Sequence, residues 1–364
     1  MEQQNKRGSF VVIICLLFAW CHVFGSSLAF AEETTDPAGA AGFTYNIEYP
    51  DNQTSDKGYY DLLMKPSQSQ TVSIELINPS KKEVTVLIGL NGAKTNKNGV
   101  VEYGDNSIEN DPSLTFDFEE IVKGPESVTI EPGTSKKASF EINMPKTSYD
   151  GIILGGIQLI RDDSKDKKEK VTGSQVKNKY MYIVGMTMRM SDKKVTPALE
   201  LNKVYGEQFN YQNTIYVNYS NVNAAMLEDM STEVQIMKKG SKTVLYETKK
   251  TDMRMAPNTH IDFPVSMNGE KMVAGEYTAN ILVTGADNIR EEWTKDFTIT
   301  KEEADQFNQR DVGLIEEKGV NWTLILSIAV GSVLFIIVAY TLITNIANKK
   351  KQGKKGKSTK RKGK

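Results

Sequence analysis

One uncharged stretch near the C-terminus limits what this chain can be. No Asp, Glu, Lys or Arg lies between Lys318 and Lys349, and the segment from Trp322 to Ile343 is densely apolar. About 20 such residues, at a helical rise of about 1.5 Å each, cross a hydrocarbon core of about 30 Å. A helix pairs all its backbone polar groups internally, as lipid requires. We therefore expect a transmembrane helix over residues 321–345.

The last sixteen residues carry ten Lys or Arg and no acid. Cytoplasmic flanks of membrane helices carry such charge, which predicts an outside N-terminus and a cytoplasmic tail over residues 346–364. A stop-transfer signal explains this tail, and adhesion to anionic lipid is the alternative. The sequence thus predicts a single-pass protein of the cell membrane, with a juxtamembrane segment at 303–320.

The N-terminus has the pattern of a secretory signal peptide. Lys6 and Arg7 precede an apolar run from Phe10 to Phe24, and a small-x-small site ends at Ala31. We expect residues 1–31 to be removed on export. A retained anchor is the alternative, and a lipoprotein is disfavoured because Trp20 stands directly before Cys21.

Charge and cysteine content describe the exported part. Outside the basic tail and the signal peptide, residues 32–348 hold 33 basic and 45 acidic side chains, a net charge of −12, which does not suit nucleic acid. Cys15 and Cys21, the two cysteines of the sequence, both lie in the predicted signal peptide. An exported chain without disulfides is common in Gram-positive bacteria, and we expect that origin.

The exported part alternates between apolar and polar residues with a period of two, which is typical of half-buried strands. Turn dipeptides such as Asn-Pro and Pro-Gly separate the short runs, and this spacing indicates a sandwich or a barrel. A short stretch at Glu302–Gln309 is the exception and has a helical pattern. The clearest alternating runs are 71–77, 84–88, 128–130, 138–142, 215–219 and 277–283.

A weak internal repeat predicts two copies of one architecture. Pro132 and Pro257 each precede a strand, and each is followed 18 or 19 residues later by a Gly beside a Tyr: Tyr149 to Gly151, then Gly275 to Tyr277. Immunoglobulin-like sandwiches close in this way, with a Tyr that bonds back to the backbone.

The expected fold is therefore all-β, with two tandem immunoglobulin-like β-sandwich domains and one transmembrane α-helix. Residues 161–179 are highly charged and form either a solvated loop or a domain linker. We favour the loop, because 152–160 and 179–190 then pair as strands. The predicted boundaries are a flexible segment at 32–42, a first domain at 43–192 (ending near 165–176 in the linker alternative) and a second domain at 193–302.

The sequence offers little for catalysis. His260 is the only histidine outside the predicted signal peptide, and a Ser-His-Asp site would need it; we expect it at a surface turn. We predict no enzyme, no cofactor and no metal site, although composition alone does not exclude a two-carboxylate glycosidase. Gly155 and Gly156 lie inside an apolar run, which indicates a bulge or a close backbone approach.

The order of several short motifs resembles the WxL-interacting proteins. Motifs similar to their N-terminal peptidoglycan-binding domain are Phe43–Pro50, Asn52-Gln53, Gly58–Leu62, Ile77–Pro79, Ala93–Gly99 and Tyr149–Ile157. Motifs similar to their C-terminal host-binding domain are Met253–Asn258, Phe263-Pro264, Gly275–Tyr277, Trp293 and Phe297. The resemblance covers nearly the whole exported part.

This resemblance implies a non-enzymatic adhesion protein of the Gram-positive cell surface. Its implied partners are a WxL-domain surface protein, peptidoglycan and host matrix proteins such as collagen or fibronectin. Two other classes remain: a surface chaperone acting by strand addition, which predicts a long unpaired edge strand, and a wall hydrolase.

Aromatic and amide side chains are the groups expected to contact glycan or protein. The stretch from Asn91 to Tyr103 reads as a long loop, where binding residues concentrate, although turn chemistry equally explains its Asn residues. The peptidoglycan-binding candidates are Tyr59, Tyr60, Asn91, Thr95, Asn96, Asn98 and Tyr103. The partner-binding candidates are Tyr205, Phe209, Tyr211 and Trp293, and Tyr60 and these four could equally be core.

Overall fold

The computed structural model describes residues 41–55, 57–164, 179–314 and 322–358. The predicted signal peptide, the segment 32–40 and the last residues of the tail lie outside these ranges. Within them the chain forms four large sheets, a two-stranded hairpin and three helices, and the last helix is apolar. The prediction of an all-β protein with a C-terminal helix is confirmed.

Two sheets pack face to face to form the first sandwich. One has the strand order β1-β3-β9-β7, and the other has the order β2-β11-β10-β4-β8. The strands are β1 (Thr44–Glu48), β2 (Tyr60–Leu63), β3 (Ser69–Ile77), β4 (Val84–Gly92), β7 (Val122–Lys123), β8 (Ser127–Ile130), β9 (Ser135–Asn143), β10 (Ile152–Arg161) and β11 (Met181–Arg189). A one-turn helix, α1 (Phe118–Ile121), precedes β7.

The alternating pattern explains this packing. Successive side chains of a strand point to opposite faces, so one apolar row per strand enters the core. Ile74 of β3 and Phe140 of β9 meet Ile157 of β10 and Met186 of β11 in one fully buried cluster. The first sandwich therefore has its core between its two sheets.

Strand β11 decides between the two interpretations of the charged segment. It pairs antiparallel with β10 along its whole length, from Ile152 opposite Arg189 to Ile160 opposite Met181. The expected strand pair is confirmed, although residues 165–178 of the connecting segment lie outside the described ranges. Short β2 then runs parallel to β11, which the sequence pattern did not indicate.

The predicted loop from Asn91 to Tyr103 is wrong in part. Asn91 belongs to β4, and a hairpin follows, formed by β5 (Lys94–Thr95) and β6 (Val101–Glu102). Asn96 shapes its turn by accepting hydrogen bonds from the backbone N–H groups of Asn98 (2.8 Å) and Val100 (3.1 Å). This is ordinary Asx-turn chemistry, which the Asn-rich sequence also allowed.

The second sandwich uses the remaining strands. Its sheets have the orders β12-β13-β16 and β15-β14-β17-β18. The strands are β12 (Leu199–Phe209), β13 (Gln212–Asn221), β14 (Leu227–Lys238), β15 (Val244–Met255), β16 (Thr259–Ser266), β17 (Gly275–Thr284) and β18 (Arg290–Ile299). The core between the two sheets includes the buried side chains of Val217, Phe263, Val234 and Ile281. The chain passes from the first sandwich to the second between Arg189, the end of β11, and Leu199, the start of β12. The exact domain boundary and the immunoglobulin-like strand order stay predictions.

The two copies of the repeat differ in what their tyrosines do. The Tyr277 hydroxyl donates a hydrogen bond to the Val273 carbonyl at 2.7 Å, which is the expected bond back to the backbone. The Tyr149 hydroxyl instead donates to the Asn258 side chain of the second sandwich at 3.2 Å. The equivalent position in the first sandwich thus serves the contact between sandwiches.

Two helices follow the sandwiches. Helix α2 (Lys301–Arg310), predicted at 302–309, begins with a capping box between Thr300 and Glu303. Helix α3 (Trp322–Ser358) contains the span Leu326–Asn345, which is long and apolar enough to cross a membrane and has none of its surface buried against the rest of the protein.

Candidate functional site

A groove of about 650 Å³ opens beside the junction of the two sandwiches. Its floor is the outer face of the sheet that contains β10 and β11, where Gly156 pairs directly with Gly185. A Cβ on Gly156 would lie 2.7 Å from Cβ of Tyr103, and one on Gly185 would lie 3.6 Å from Cβ of Tyr59. Gly156 therefore lets Tyr103 approach the sheet closely, whereas a Cβ at position 185 would make only an ordinary contact with Tyr59.

Neighbouring Gly155 serves the opposite face. A Cβ there would fall within 2.3–2.5 Å of the Phe118 ring, which is buried in the core. The predicted close backbone approach at Gly155-Gly156 is confirmed on both faces, and the strand register runs through both residues without a bulge.

Tyr59 and Tyr103 both line the groove and are half-buried. Burial raises the pKa of the Tyr103 phenol, against the opposing effect of the nearby Arg254 guanidinium. The phenol therefore stays protonated at neutral pH and can donate as well as accept a hydrogen bond.

Two arginine–carboxylate pairs complete the lining. Arg189 of β11 pairs with Asp61 of β2, and its other terminal nitrogen donates to the Thr54 hydroxyl at 2.9 Å. Across the groove, Arg254 of β15 donates to the two carboxylate oxygens of Glu228 of β14 through Nε and through Nη2, the latter at 2.6 Å. This hydrogen bonding raises the pKa of the Arg254 guanidinium. The pairs hold the planar groups in place and leave the groove locally neutral.

Such a surface suits a polar ligand with flat apolar faces. Aromatic rings stack on apolar faces, while guanidinium and carboxylate groups bond hydroxyls, amides and carboxylates. The volume lies within the range of small-ligand sites. The groove can hold a sugar unit or a short peptide, and its lining includes no nucleophile paired with a base.

The structure brings two of the seven peptidoglycan-binding candidates, Tyr59 and Tyr103, into the groove. Asn91 lies on β4 next to this region and donates to the Tyr103 carbonyl at 3.4 Å. Tyr60, by contrast, is completely buried, and its hydroxyl donates to the Ser73 carbonyl at 2.7 Å. Tyr60 therefore has no face for a ligand, because its strand turns it into the core.

The hairpin candidates contact the second sandwich instead. The Thr95 hydroxyl lies 2.7 Å from that of Thr259 and accepts from the Ala256 backbone N–H at 2.9 Å. The Asn98 side chain accepts from Lys250 at 2.9 Å, and Asn96 keeps the turn between them. These residues join the sandwiches, so a ligand would have to displace their contacts.

His260 also lies at this junction, within β16 and half-buried, so the expected surface turn is wrong. Its Nδ1 is 3.7 Å from Asp111 Oδ2, while the Ser220 hydroxyl donates directly to the same oxygen at 2.5 Å. In a catalytic triad the imidazole separates serine from carboxylate. Here the carboxylate lies between them and Ser220 is buried, so the cluster is structural.

The four partner-binding candidates do not form one site. Tyr205 is half-buried and donates to Asp262 at 2.9 Å. Trp293 packs 5.9 Å from buried Tyr219 and borders a separate shallow hollow with Glu233 and Asn280. Phe209 ends β12 and is 37% exposed, with its ring 5.8 Å from Lys97 Nζ of the first sandwich, while Tyr211 lies in the following turn and is 69% exposed.

Sequence reasoning missed the charged part of the groove. Asp61, Arg189, Glu228 and Arg254 come from four strands of both sandwiches, and no local spacing links them. The motif around Tyr59 and the Gly155-Gly156 pair were the sequence features that pointed towards this groove. They locate it only once it is known which strands lie next to each other. In the part of the chain that the structure describes, no cluster of three or more His, Cys, Asp or Glu could hold a metal ion.

Comparison with solved structures gives distant similarities, several of them to bacterial chaperones. The CupB2 chaperone of Pseudomonas aeruginosa shows 11% identity and a TM-score of 0.24 over 67% of this chain and 99% of its own. The E. coli chaperone DraB shows 10% identity and a TM-score of 0.26 over 71% of this chain and 98% of its own. A chain of the CsuC–CsuE pre-assembly complex of Acinetobacter baumannii shows 12% identity and a TM-score of 0.30 over 70% of this chain and 97% of its own. TM-scores this low support no inference on fold or function.

Family models give a clear result, whereas no curated protein matches significantly. A model described as "WxL Interacting Protein, peptidoglycan binding domain" matches residues 43–161. A second, "WxL Interacting Protein, host binding domain", matches residues 171–309, and so includes β11, which pairs within the first sandwich. Together the matches cover most of the sequence in the expected order, and the chain belongs to the WxL-interacting protein family.

Proposed function

We propose that this protein is a membrane-anchored binding protein that holds peptidoglycan in the groove between its sandwiches. The family supplies the coarse function, a peptidoglycan-binding domain followed by a host-binding domain. The groove supplies the site: Tyr59 and Tyr103 over a glycine floor, flanked by the pairs Arg189–Asp61 and Arg254–Glu228. Tyrosine faces would stack on sugar rings, and the charged pairs would bond acetamido, hydroxyl and stem-peptide groups.

The placement of the two tyrosines is the observation that carries this proposal. Both lie within the residues matched by the peptidoglycan-binding model, and both are half-buried side chains that line the groove. Most other aromatic side chains of the first sandwich face the core or a neighbouring ring, as Phe43, Tyr60 and Phe140 do.

Co-sedimentation of the detergent-purified full chain with peptidoglycan sacculi tests the site. We expect Tyr59→Ala and Tyr103→Ala each to weaken binding about tenfold, because each removes a stacking surface of about 1–2 kcal/mol. Tyr49→Ala is the matched control, since Tyr49 is an exposed tyrosine that follows β1 in the opposite sheet. Equal loss in all three variants, or none in the groove variants, contradicts the proposal.

The same sacculi test the enzyme alternative. A binding protein leaves the supernatant free of soluble muropeptides after long incubation, whereas their release would identify a wall hydrolase. Binding domains and the structural role of His260 both support the first outcome.

The remaining parts of the proposal concern partners and orientation. We propose an ectodomain that faces the wall, a cytoplasmic basic tail, and a WxL-domain surface protein as the principal partner, with host matrix protein such as collagen or fibronectin as a further ligand of the second sandwich. A pull-down of the full chain with a WxL-domain protein from the same genome tests the partner. Failure of a folded chain to retain that protein counts against it.

Strand addition is the second candidate function, and one observation bears on it. Edge strand β15 has 12 residues and, within the described residues, pairs only with β14. However, register irregularities interrupt it, Lys249 and Lys250 lie along it, and the Arg254 backbone N–H already donates to the Gly99 carbonyl at 2.8 Å. Such features protect an edge against pairing, so adhesion remains the better-supported function.

A further inference from the structure

The second sandwich has two ends with different surroundings. At one end, the turns after β13 and β15 contact the first sandwich, where the Asn258 side chain donates to the Ser113 carbonyl at 3.0 Å. At the other end lie the β12–β13 turn, the β14–β15 turn and the β16–β17 loop. Their proximity follows from the register, in which Thr214 pairs with Ser266 and Met237 pairs with both Val244 and Thr278.

Helix α2 is fixed to this second end, called here the distal end. The Asn308 side chain donates to the Met272 carbonyl and accepts from the Met272 N–H, both at 2.8 Å. It also accepts from the Asn213 side chain at 2.8 Å, and Gln208 donates to the Phe307 carbonyl at 2.8 Å. After α2, the Val312 N–H donates to the Tyr211 carbonyl at 3.0 Å. The chain therefore leaves the sandwich at the distal end.

Exposed apolar side chains gather at the same end. Isolated ones are normal on a protein surface, but a concentrated group indicates an interaction site. Tyr211 and Val312 are 69% and 78% exposed, although they lie next to each other. Within the described residues 199–314, five of the six exposed large apolar side chains lie free at the distal end: Tyr211, Val244, Leu245, Val273 and Val312. The sixth, Phe209, has its ring 5.8 Å from Lys97 Nζ of the first sandwich and is not counted with them.

Chain length determines what this end must face. Eight peptide steps join Leu314 to Trp322, where α3 begins, so their Cα atoms lie within about 28 Å of each other. The apolar span of α3 starts four residues later, at Leu326. A bilayer that holds α3 therefore lies within about 35 Å of Leu314, whichever way the helix is oriented, so the distal end is the part of the second sandwich within reach of it.

We propose that the distal end is a lipid-docking surface that seats the second sandwich on the bilayer. Tyr211, in the turn between β12 and β13, would enter the interfacial region, where amphipathic rings are favoured, and the four aliphatic side chains would follow. Lys239 of the β14–β15 turn lies 3.5 Å from both Glu276 and Asp296. The other charged residues of this end also have both signs, so the local charge is mixed: Lys238, Lys242, Lys271 and Arg310 against Glu207, Glu270 and Asp311. Docking then depends on apolar contact and not on anionic lipid. The tether raises the local concentration of lipid, so weak contacts suffice.

Fluorescence quenching in nanodiscs tests this surface with the full chain. Cys15 and Cys21 are replaced by Ser so that one introduced cysteine carries the dye. Lys271→Cys places the dye at the exposed distal end, and Thr251→Cys places it on β15, beside the residue that contacts Asn98 of the first sandwich. Phosphatidylcholine discs contain headgroup-labelled quencher lipid. We expect strong quenching at 271 and little at 251.

The variant Tyr211→Ser/Val312→Ser separates docking from mere tethering. Loss of both apolar side chains should reduce the docked population about tenfold, and quenching at 271 should fall towards the value at 251. A second double variant, Val244→Ser/Leu245→Ser, removes apolar side chains from the other sheet. It keeps the test valid even where the first variant fails to fold. Quenching at 271 that both pairs leave unchanged, or quenching that requires anionic lipid, overturns the proposal.

Discussion

At the residue scale, Gly156 and Gly185 face each other across one strand pair in the groove floor, but the space above the two glycines differs. Above Gly156 the space is filled by Tyr103, whose Cβ and carbonyl oxygen would lie 2.7 and 2.9 Å from an added Cβ. Above Gly185 the nearest atom would lie at 3.6 Å, an ordinary contact. The position of Tyr103 thus depends on the missing side chain at 156.

This difference predicts opposite results for one substitution at two neighbouring sites. Gly156→Ala should lower the free energy of unfolding by about 1–3 kcal/mol and weaken sacculus binding, because Tyr103 must move. Gly185→Ala should leave both nearly unchanged, because its Cβ has room. Chemical denaturation and co-sedimentation of the two variants measure the contrast. Equal effects would show that Tyr103 does not rest on Gly156.

Asp111 is the charged residue most deeply placed in the junction. Burial raises the pKa of its carboxyl, but hydrogen bonds from Ser113 (2.6 Å) and Ser220 (2.5 Å) outweigh this and hold the pKa below its usual range. A carboxyl with a depressed pKa in the folded state stabilises the fold above its unfolded pKa of about 4, and this contribution is lost as the pH falls through the folded value.

Asp111→Asn should therefore cost about 2 kcal/mol of unfolding free energy at pH 7, with a difference from wild type that shrinks once the pH is below about 4. Denaturation curves at both pH values give the comparison. Asp105→Asn, which changes an exposed carboxylate of the same segment, is the control and should have little effect at either pH. A penalty for Asp111→Asn that persists in acid contradicts the assigned charge state.

At the scale of elements, the β5–β6 hairpin and the turn before β16 join the sandwiches. Asn258 is central: its side chain donates to the Ser113 and Val222 carbonyls at 3.0 and 2.9 Å and accepts from Tyr149. Its φ is 50°, a left-handed conformation that Asn tolerates better than most residues. Gly151 also belongs here, because a Cβ would lie 2.3 Å from the Ala224 carbonyl oxygen and its φ is 95°.

Asn258→Ala should loosen this junction. It removes the side-chain bonds to both sandwiches and leaves Ala in a left-handed conformation, a loss of about 2–4 kcal/mol. Hydrogen exchange of the β5–β6 hairpin should accelerate while the core strands stay protected. Asn268→Ala is the matched control, since Asn268 has a φ of 55° but is exposed at the distal end. Similar exchange in both variants would mean that Asn258 does not hold the junction.

Elements with regular periods were predictable, and contacts between them were not. The alternating runs at 71–77, 138–142 and 277–283 fall within β3, β9 and β17, because a half-buried strand needs that pattern locally. The resemblance likewise identified the family. The groove escaped prediction because Asp61 meets Arg189, and Glu228 meets Arg254, only after distant strands pair. Tyr60 and His260 were misplaced for the same reason. Whether such a side chain lies in the core, at the junction or on the surface depends on how its strand pairs with distant strands, which the local sequence does not give.

At the scale of the whole molecule, the parts follow one another in a fixed order. The first sandwich and the groove lie at one end of the second sandwich, and α2 and the start of α3 lie towards the other. Strand β14, with 12 residues, spans about 40 Å between these ends. The second sandwich therefore separates the groove from the membrane helix by about its own length.

This order predicts where a shortened protein goes. A chain that ends at residue 314 keeps both sandwiches and α2 but lacks the apolar span, so it should leave the membrane fraction and appear with the wall and in the medium, while the full chain stays with the membrane. Cell fractionation with an antibody to the second sandwich measures this. Retention of the truncated chain by membranes at low peptidoglycan content would mean that the helix is not the main anchor.

The bonds that hold α2 also have a mechanical consequence. A chain bound to the wall through its groove and to the bilayer through α3 carries tension whenever the two layers move apart, and that tension enters at residue 314. The bonds at Tyr211, Asn213 and Met272 would then peel in sequence, whereas the antiparallel strands of the core would be loaded together. As α2 unwinds, its 10 residues lengthen from about 15 Å to about 35 Å. The helix would thus act as a yielding link that protects both sandwiches from force.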